Sequence, residues 1–176
     1  GAKVLLLEQN EKLGKKIYIT GKGRCNFTNS CSMDEFFQQI VTNPKFLYSA
    51  LSVFNNEDII QLIQEHGVPV KIERGNRAFP VSDHASDITK ALSKALAEVN
   101  VTVKLQTQVL DISQTNHKII GVVCKDHLFY EADAVILATG GMSYPTTGST
   151  GDGYRFAQKL THTIKKPHPA TFCRCG

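Results

Sequence analysis

The sequence has no long hydrophobic run and no regular cysteine framework. Its longest apolar runs, such as the one at 134–138, fall far short of the ~20 residues that a membrane-spanning helix needs. The five cysteines are odd in number and irregularly spaced, which argues against a disulfide scaffold and favours a reducing compartment. The chain opens directly on a strand-like segment, so no signal peptide is expected. We therefore predict a cytoplasmic protein without a membrane partner.

Also missing is the fingerprint Gly-x-Gly-x-x-Gly, which holds the pyrophosphate in many dinucleotide-binding folds. Residues 3–8 have the pattern of a buried parallel strand that ends in an acid, Glu8. In dinucleotide folds, an acid ~20 residues after the fingerprint accepts hydrogen bonds from the adenosine ribose. No fingerprint precedes this strand. We therefore expect the first strand, the pyrophosphate turn and the first helix of such a fold to be absent.

No internal repeat, low-complexity tract or set of aromatic residues interleaved with basic ones is present. The 176 residues are 41% hydrophobic, which is ordinary for one or two soluble domains and argues against global disorder. The net charge of +4 is densest between Lys12 and Arg24, where it suits either a diphosphate or a nucleic acid. Because the aromatic stacking set is missing, we predict no nucleic-acid partner. The oligomeric state is left open.

Glycine is the residue that the sequence concentrates in one place. Five of the thirteen glycines fall between Ala138 and Gly153, after the apolar run at 134–138 and before a helix-like stretch at 154–160. Glycine allows a positive φ and a close approach of the backbone to a ligand. A buried strand that opens into such a turn lies where doubly wound α/β sheets bind their ligands. The pattern therefore predicts a cofactor-binding fold.

The remaining segments predict alternating helices and strands, with a long polar loop at 14–29. Asn56 is the predicted N-cap of the third helix, and Ser32 or Asp34 that of the first. The segment at 75–80 is predicted to be a turn. Helices are predicted at 34–40, 43–54, 57–66 and 83–100, strands at 68–73 and 101–105, and a three-stranded meander at 108–113, 118–125 and 128–130.

Three segments resemble one known family. Residues 19–29, Ile-Thr-Gly-Lys-Gly-Arg-Cys-Asn-Phe-Thr-Asn, are similar to the signature loop of aminoacetone-oxidase-like FAD oxidoreductases, a group that includes a flavin reductase of bile-acid dehydroxylation. Residues 79–85 and 138–153 match the same family in order and at appropriate distances. The resemblance extends to about Pro169. The first motif is specific, whereas Ala-Thr-Gly-Gly followed by Thr-Gly-Asp-Gly is shared with fumarate-reductase-like flavoproteins.

The resemblance implies an α/β fold: a glutathione-reductase-type FAD-binding domain, made of a parallel sheet with helices and a three-stranded β-meander. It implies that the chain is a truncated form, with a partial FAD-binding domain at 1–166 and a tail or the start of an inserted second domain at 167–176. The implied function is flavin-mediated hydride or electron transfer on a small organic substrate. FAD is the implied cofactor, with NAD(P)H as a candidate reductant. Substrate contacts in the family lie partly in the inserted domain, so neither the substrate nor the catalytic residues are identified.

The resemblance also implies a set of cofactor-binding residues. Glu8 would face the adenosine ribose, the main chain of Val109 would hold the adenine, and the two glycine-rich segments would contact the diphosphate or the flavin. The predicted set is Glu8, Gly21, Lys22, Gly23, Arg24, Cys25, Asn26, Val109, Ala138, Thr139, Gly140, Gly141, Gly151, Asp152 and Gly153.

Each of these predictions has a plainer alternative. Glu8 could be a surface acid and Val109 an ordinary core valine. Arg24 could lower the pKa of the Cys25 thiol and so favour a redox role. Such a role needs a partner thiol, and the spacing from Cys25 to Cys31 is not that of a redox pair. Packing of Cys25 near the cofactor is therefore favoured. A zinc set of His162, His168, Cys173 and Cys175 is too irregular to be predicted, so no metal is expected.

Two alternatives concern the function as a whole. The first is a non-catalytic fragment that binds FAD weakly or not at all, which the missing fingerprint favours. The second is a nucleotide-binding module without flavin, against which the Arg24-Cys25-Asn26 sequence argues.

Overall fold

The computed structural model describes residues 1–167, and these form two compact units. The first unit contains residues 1–16 and 100–167, and the second contains residues 17–99. Of the predicted tail at 167–176, all residues but the first lie outside the described residues, and so do three of the four residues of the discarded zinc set. Among residues 1–167, no helix is long and apolar enough to cross a membrane.

The first unit contains a parallel strand pair. Strand β1 (Leu5–Leu7) runs parallel to β5 (Thr102–Lys104), with Leu6 opposite Val103. The predicted parallel strand at 3–8 is therefore confirmed, although it is shorter than expected. It is less buried than predicted, since Leu5 is 37% exposed. Within the described residues β1 has one neighbouring strand, which leaves one side of it uncovered.

The same unit contains the predicted antiparallel meander of β6 (Val109–Thr115), β7 (Lys118–Cys124) and β8 (Phe129–Glu131). Alternating apolar residues of β6 and β7 pack with Phe156 of helix α5 (Asp152–Lys159) in one core cluster. The helix predicted at 154–160 is thus confirmed and begins two residues earlier.

The predicted buried strand at 134–138 is wrong. Among residues 1–167 these positions form no strand, and Ile136 is 91% exposed. Only Val135 of this segment packs against the core cluster. An apolar run predicts burial in a sheet, but a strand also needs a neighbour with which to form its ladder, and the described residues supply none here.

The second unit contains a small antiparallel sheet in the order β2-β4-β3. Strand β4 (Arg77–Pro80) pairs with both β3 (Val70–Glu73) and β2 (Thr28–Asn29). The prediction of a turn over 75–80 is therefore wrong for its second half, where Ala78, Phe79 and Pro80 are buried strand residues. Pro80 is tolerated because β2 pairs with β4 only as far as Ala78, so that at Pro80 the strand has a neighbour on one side only, as an edge strand does.

Helices surround this sheet. Helix α1 (Met33–Gln38) is capped by Ser32, one of the two caps that the sequence predicted. The helix predicted at 43–54 is instead a 3₁₀ turn followed by α2 (Tyr48–Val53).

The two longer helices carry the core of the second unit. Helix α3 (Asn56–Glu65) is capped by Asn55 rather than Asn56, since the Asn55 side chain accepts hydrogen bonds from the N–H groups of Glu57 and Asp58. Helix α4 (Ala85–Glu98) packs against α3, and their core cluster consists of Cys25, Ile63, Ala85, Ile88 and Ala91.

Candidate functional site

Glu8 lies directly after strand β1, with its carboxylate held in one orientation. Its Oε1 accepts hydrogen bonds from the backbone N–H of Asn10 at 2.8 Å and from Asn10 Nδ2 at 2.7 Å. The Glu8 backbone donates to the Lys104 carbonyl and accepts from Thr107 N–H, so the main chain is fixed as well. Oε2 accepts no hydrogen bond from residues 1–167. The carboxylate is therefore anchored through one oxygen and can accept hydrogen bonds from a ligand through the other.

Residues 138–153, here called the glycine turn, need glycine at defined positions. Gly148 and Gly151 have φ values of +99° and +82°, which L side chains rarely adopt. A Cβ on Gly153 would lie 2.5 Å from Thr139 Oγ1, so glycine lets the first turn of α5 approach the turn closely. Gly151 is the N-cap residue of α5 and has no side chain, so the N-terminal N–H groups of this helix have no capping side chain.

Three side chains that follow β1 hold the glycine turn, and we call them the β1 bracket. Gln9 Nε2 donates to the Gly148 carbonyl at 2.9 Å, and Asn10 Nδ2 donates to the Thr147 carbonyl at 3.3 Å. Lys16 Nζ donates to the Ser143 carbonyl at 2.7 Å and to Ser149 Oγ at 2.8 Å. The structure thus joins the anchor of Glu8 directly to the glycine turn, through the shared side chain of Asn10.

The other predicted residues of the first unit differ in what they offer a ligand. Val109 opens β6 and packs against the core cluster, so its side chain has the plainer role that the sequence also allowed. Ala138, Thr139 and Gly140 are exposed. The Asp152 carboxylate accepts hydrogen bonds from Thr150 and Arg155, which lower its pKa, the Thr150 bond most.

In the second unit, residues 20–26, here called the signature loop, have an unusual backbone. Gly21, Lys22, Gly23 and Cys25 all have positive φ, between +58° and +87°. The Cys25 N–H closes the loop by donating to the Thr20 carbonyl at 2.9 Å. A Cβ on Gly21 would lie 2.8 Å from the Asn26 backbone nitrogen. A run of left-handed residues persists only where the surroundings fix it.

Arg24 is fixed by two carboxylates and one ring. Its guanidinium donates to Asp83 Oδ1 from Nε at 2.9 Å and from Nη2 at 2.7 Å, and it also donates to both oxygens of Glu73. Its carbon lies 4.4 Å from the centroid of the Phe79 ring. The pKa of Glu73 is lowered chiefly by Arg24, and that of Asp83 by Lys71 and then Arg24. We call Arg24, Glu73 and Asp83 the ion-pair clamp.

Cys25 and Asn26 serve the packing of the loop. Cys25 is 1% exposed within the core cluster of the second unit, and burial raises the pKa of its thiol to about 11. The idea that Arg24 lowers this pKa is therefore wrong, because burial disfavours the charged thiolate. The Asn26 side-chain amide, with its nitrogen towards the carbonyls, donates to Thr28 at 2.9 Å and Ala78 at 3.2 Å.

Two pockets are found away from these residues. One, of about 500 Å³, lies in the second unit between the end of α3 and helix α4. The other, of about 470 Å³, lies in the first unit between the meander and α5. Neither is lined by a predicted site residue. Among residues 1–167 no three His, Cys, Asp or Glu side chains lie close enough together to hold a metal ion.

The residues that hold the candidate site were mostly not predictable from the sequence. Gln9 and Asn10 are ordinary polar residues after a strand, and they carry no motif. Asp83 does lie in the second matching segment, at 79–85, so a signal for it was present. Glu73 had none, because its pairing with Arg24 depends on a hairpin that the sequence did not predict.

Comparison with known proteins identifies one family and several relatives. Residues 1–170 match the model of the HI0933-like protein Rossmann domain. The chain is 33% identical to the 3-dehydro-bile acid delta(4,6)-reductase of Clostridium scindens, over 96% of this chain and 40% of that protein. It is 31% identical to the ribosomal RNA dihydrouridine synthase of Escherichia coli, over 91% of this chain and 39% of that protein. The chain therefore spans about two fifths of the length of these curated relatives.

A solved structure supports the fold. The Sdh1 complex of Mycobacterium smegmatis in the apo form contains a chain that aligns with 91% of this one and with 35% of its own length. The TM-score is 0.58 at 16% sequence identity. With the family match, this likeness establishes a Rossmann-like α/β fold, with a parallel strand pair and two antiparallel sheets in the described residues.

Proposed function

Because the chain belongs to the HI0933-like Rossmann domain family, we propose that the protein is an FAD-dependent oxidoreductase acting on a small organic substrate. When bound, FAD supplies hydride or electron transfer through its isoalloxazine ring, and the protein supplies position and electrostatics. Both curated relatives carry names of reductive reactions, a reductase and a dihydrouridine synthase. The family resemblance narrows the proposal to an aminoacetone-oxidase-like enzyme with NAD(P)H as the reductant, and the irregular cysteines favour a cytoplasmic one.

The geometry of Glu8 carries this proposal. A carboxylate directly after a parallel strand, held by Asn10 through Oε1 and open at Oε2, suits the acceptance of hydrogen bonds from a ribose. The nearby N-terminus of α5, without a capping side chain, suits a negatively charged group. These are the donor and acceptor types that the nucleotide half of FAD requires.

Each of the two units contains some of the proposed cofactor-binding residues. In the first unit they are Glu8, the main chain of Val109, and the two ends of the glycine turn, at 138–141 and 151–153. In the second unit they are residues 21–26, which would contribute mainly backbone groups, because the side chains of Arg24, Cys25 and Asn26 are engaged within the unit. The N–H groups of Arg24 and Cys25 are not among these groups, since they donate to the Gly21 and Thr20 carbonyls.

Replacing Glu8 tests the proposal through the difference between two flavins. FMN lacks the adenosine that Glu8 would bind, so Glu8→Gln should weaken FAD binding and leave FMN binding unchanged. Loss of a hydrogen bond to a charged group predicts a cost of ~1.5–3 kcal/mol, or roughly 10- to 150-fold in the FAD dissociation constant. The measurement is fluorescence titration of flavin-free, full-length protein with each flavin.

Glu11→Gln is the matched control, since Glu11 is an exposed acid three residues away. It should change neither dissociation constant. Equal weakening of FAD and FMN binding by Glu8→Gln would show that Glu8 supports the fold rather than the ribose. Unchanged FAD binding would remove Glu8 from the cofactor site.

The names of the two relatives favour one reaction class. A 3-dehydro-delta(4,6) steroid has C=C bonds conjugated with a carbonyl, and dihydrouridine is uridine with the C=C bond next to its carbonyl reduced. We therefore propose that the substrate here is a small molecule with a C=C bond conjugated to a carbonyl. The substrate gains a hydride at the β carbon and a proton from solvent at the α carbon, and the C=C bond becomes a single bond. NAD(P)H is the source of the two electrons.

The rival substrate is ribosomal RNA, which the second relative's name describes. We favour the small molecule because the basic group between Lys12 and Arg24 lacks a set of stacking aromatics, and Tyr18 within it packs against the core of its unit. FAD-loaded full-length protein can be given NADPH or NADH anaerobically, with either 2-cyclohexenone or ribosomal RNA. We expect saturated ketone and no dihydrouridine, whereas dihydrouridine alone would establish the rival.

A further inference from the structure

Two segments that the family resemblance singled out separately are held together in the second unit. The end of the first segment forms β2, which pairs with β4, so that Thr28 lies opposite Ala78. Ala78 directly precedes the second segment, and the last two residues of β4 belong to it. Phe27 N–H also donates to the Ala78 carbonyl at 3.2 Å, and the Asn26 amide donates to the same carbonyl. The signature loop is therefore continuous with a strand that the β3–β4 hairpin fixes.

Arg24 adds a second connection between the same two segments. Its guanidinium makes four hydrogen bonds to Glu73 and Asp83, and it stacks on Phe79. Glu73 and Asp83 also lie within 3.6 Å and 2.7 Å of Lys71 Nζ. Two carboxylates thus face three cations, since Arg77 Nη2 also lies 3.9 Å from Glu73 Oε2. The charge of the cluster is not cancelled, but four of the five N–H donors of the Arg24 guanidinium are engaged within the unit, which leaves one for a ligand.

Arg24 lies between two residues of the loop that have unfavourable backbone conformations. Lys22 and Cys25, on either side of it, have φ values of +58° and +62°, which are unfavourable for residues with a Cβ. Such a conformation relaxes unless neighbouring contacts hold it. Arg24 lies between these two residues, and its side chain has fixed partners elsewhere in the unit. Glu73 lies on the β3–β4 hairpin, and Asp83 follows it.

We propose that Arg24 is a positioning residue: the ion-pair clamp holds the signature loop in its left-handed conformation, and the guanidinium does not bind the cofactor's diphosphate. The inference rests on the proposed function, in which the backbone of this loop contacts FAD. It departs from the expectation that the charge of Arg24 attracts the diphosphate. Glu73 and Asp83 are then as necessary to the loop as Arg24 itself.

The first experiment needs no cofactor. Amide hydrogen exchange is measured on flavin-free, full-length protein carrying Arg24→Gln, Asp83→Asn or Glu73→Gln. We expect exchange at residues 20–27 to accelerate at least tenfold in each variant, because exchange reports local opening. Arg74→Gln is the matched control, since Arg74 is an exposed arginine on the same hairpin. Unchanged exchange at 20–27, or an equal rise throughout residues 17–99, would overturn the proposal.

The second experiment measures FAD affinity, and the direction in which Asp83→Asn changes that affinity distinguishes the two possible roles of Arg24. If Arg24 bound the diphosphate, Asp83→Asn would release it from a competing carboxylate and tighten FAD binding, and Arg24→Lys would keep most of the affinity. If Arg24 positions the loop, Asp83→Asn weakens FAD binding, and Arg24→Lys weakens it as well, since an ammonium group cannot reproduce the bidentate fork. We expect both variants to lose at least fivefold in affinity.

The two experiments separate failure of this inference from failure of the proposed function. If the wild-type protein binds no FAD, the proposed function is wrong, and the exchange data alone decide the role of the clamp. If FAD binds and Asp83→Asn tightens it, the positioning role is wrong, and the proposed function stands.

Discussion

The glycine turn and the signature loop are both glycine-containing segments with left-handed residues, but they are held by different interactions. The glycine turn is held by the β1 bracket, in which two neutral amides and one lysine donate to carbonyl and hydroxyl oxygens. The signature loop is held by carboxylates paired with a guanidinium. The first arrangement is mostly insensitive to protonation of acids, whereas the second depends on it. Similar backbone conformations therefore need not share one kind of support.

The largest effect that follows from this comparison is expected for Gly21→Ala. This change introduces a Cβ at positive φ and 2.8 Å from the Asn26 backbone nitrogen, which cannot move aside cheaply. The left-handed penalty and overpacking together predict a loss of about 2–4 kcal/mol in the free energy of unfolding. Denaturant unfolding monitored by circular dichroism measures it.

Gly23→Ala is the control within the same loop. Its φ is +87°, but the atom nearest to the new Cβ is 3.8 Å away, so it carries the conformational penalty without the clash. Equal losses for Gly21→Ala and Gly23→Ala would show that the loop is free to shift, and that the clamp does not fix it.

Acid should loosen the signature loop before the glycine turn. The pKa values of Glu73 and Asp83 in the folded protein are lowered by Arg24 and Lys71, with Arg77 also near Glu73. Their contribution to stability is therefore complete above the unfolded-state values and is lost as pH falls below about 4.5 and through the folded values. We expect protection from hydrogen exchange, corrected for intrinsic rates, to fall earlier at 20–27 than at 143–149. Simultaneous loss would contradict the comparison.

Removal of the lysine of the β1 bracket should have a moderate effect confined to the first unit. Lys16→Met removes donors to Ser143 and to the buried Ser149. Because hydrogen bonds from a charged donor contribute about 1.5–3 kcal/mol when well buried, and Lys16 is half-exposed, we expect a loss of ~1–2 kcal/mol. Amide hydrogen exchange checks this prediction: it should become faster at residues 143–149 in Lys16→Met and stay unchanged there in the control variant Lys118→Met. A change at 20–27 instead would contradict it.

The smallest effect is expected at Cys25, because its burial should leave the thiol unreactive. The raised pKa keeps its thiol protonated near neutral pH, and 1% exposure limits access. Iodoacetamide labelling of the native protein, followed by peptide mass spectrometry, should modify the half-buried Cys31 at least tenfold faster. Faster labelling of Cys25 would restore the hypothesis of an activated thiol in the signature loop.

The sequence predicted best those elements whose signals are local. The meander at 109–131 follows from alternation and turn residues, helix α1 from its polar cap and helix α4 from its apolar periodicity. The cap of α3 is displaced by one residue because Asn55 and Asn56 are equally good capping residues, and only the observed hydrogen bonds decide between them.

The errors lie where structure depends on a distant partner. The strand at 77–80 exists because β2 and β3 flank it, although its own sequence is short and ends in proline. The run at 134–138 has a strong strand signal and no ladder partner among residues 1–167. Of the site, Glu8 and the glycine turn were accessible from the sequence, whereas the β1 bracket and Glu73 were not, since polar contacts across 49 to 139 residues leave no local pattern.

The visible absorption spectrum of the full-length protein tests the central claim most directly. The protein is purified, incubated with excess FAD, separated from unbound flavin by gel filtration, and examined for flavin absorbance. We expect a yellow protein that carries close to one FAD per chain, with the Glu8→Gln variant retaining less. A protein that stays colourless after incubation, while remaining folded by circular dichroism, would contradict the proposal that this family member uses FAD.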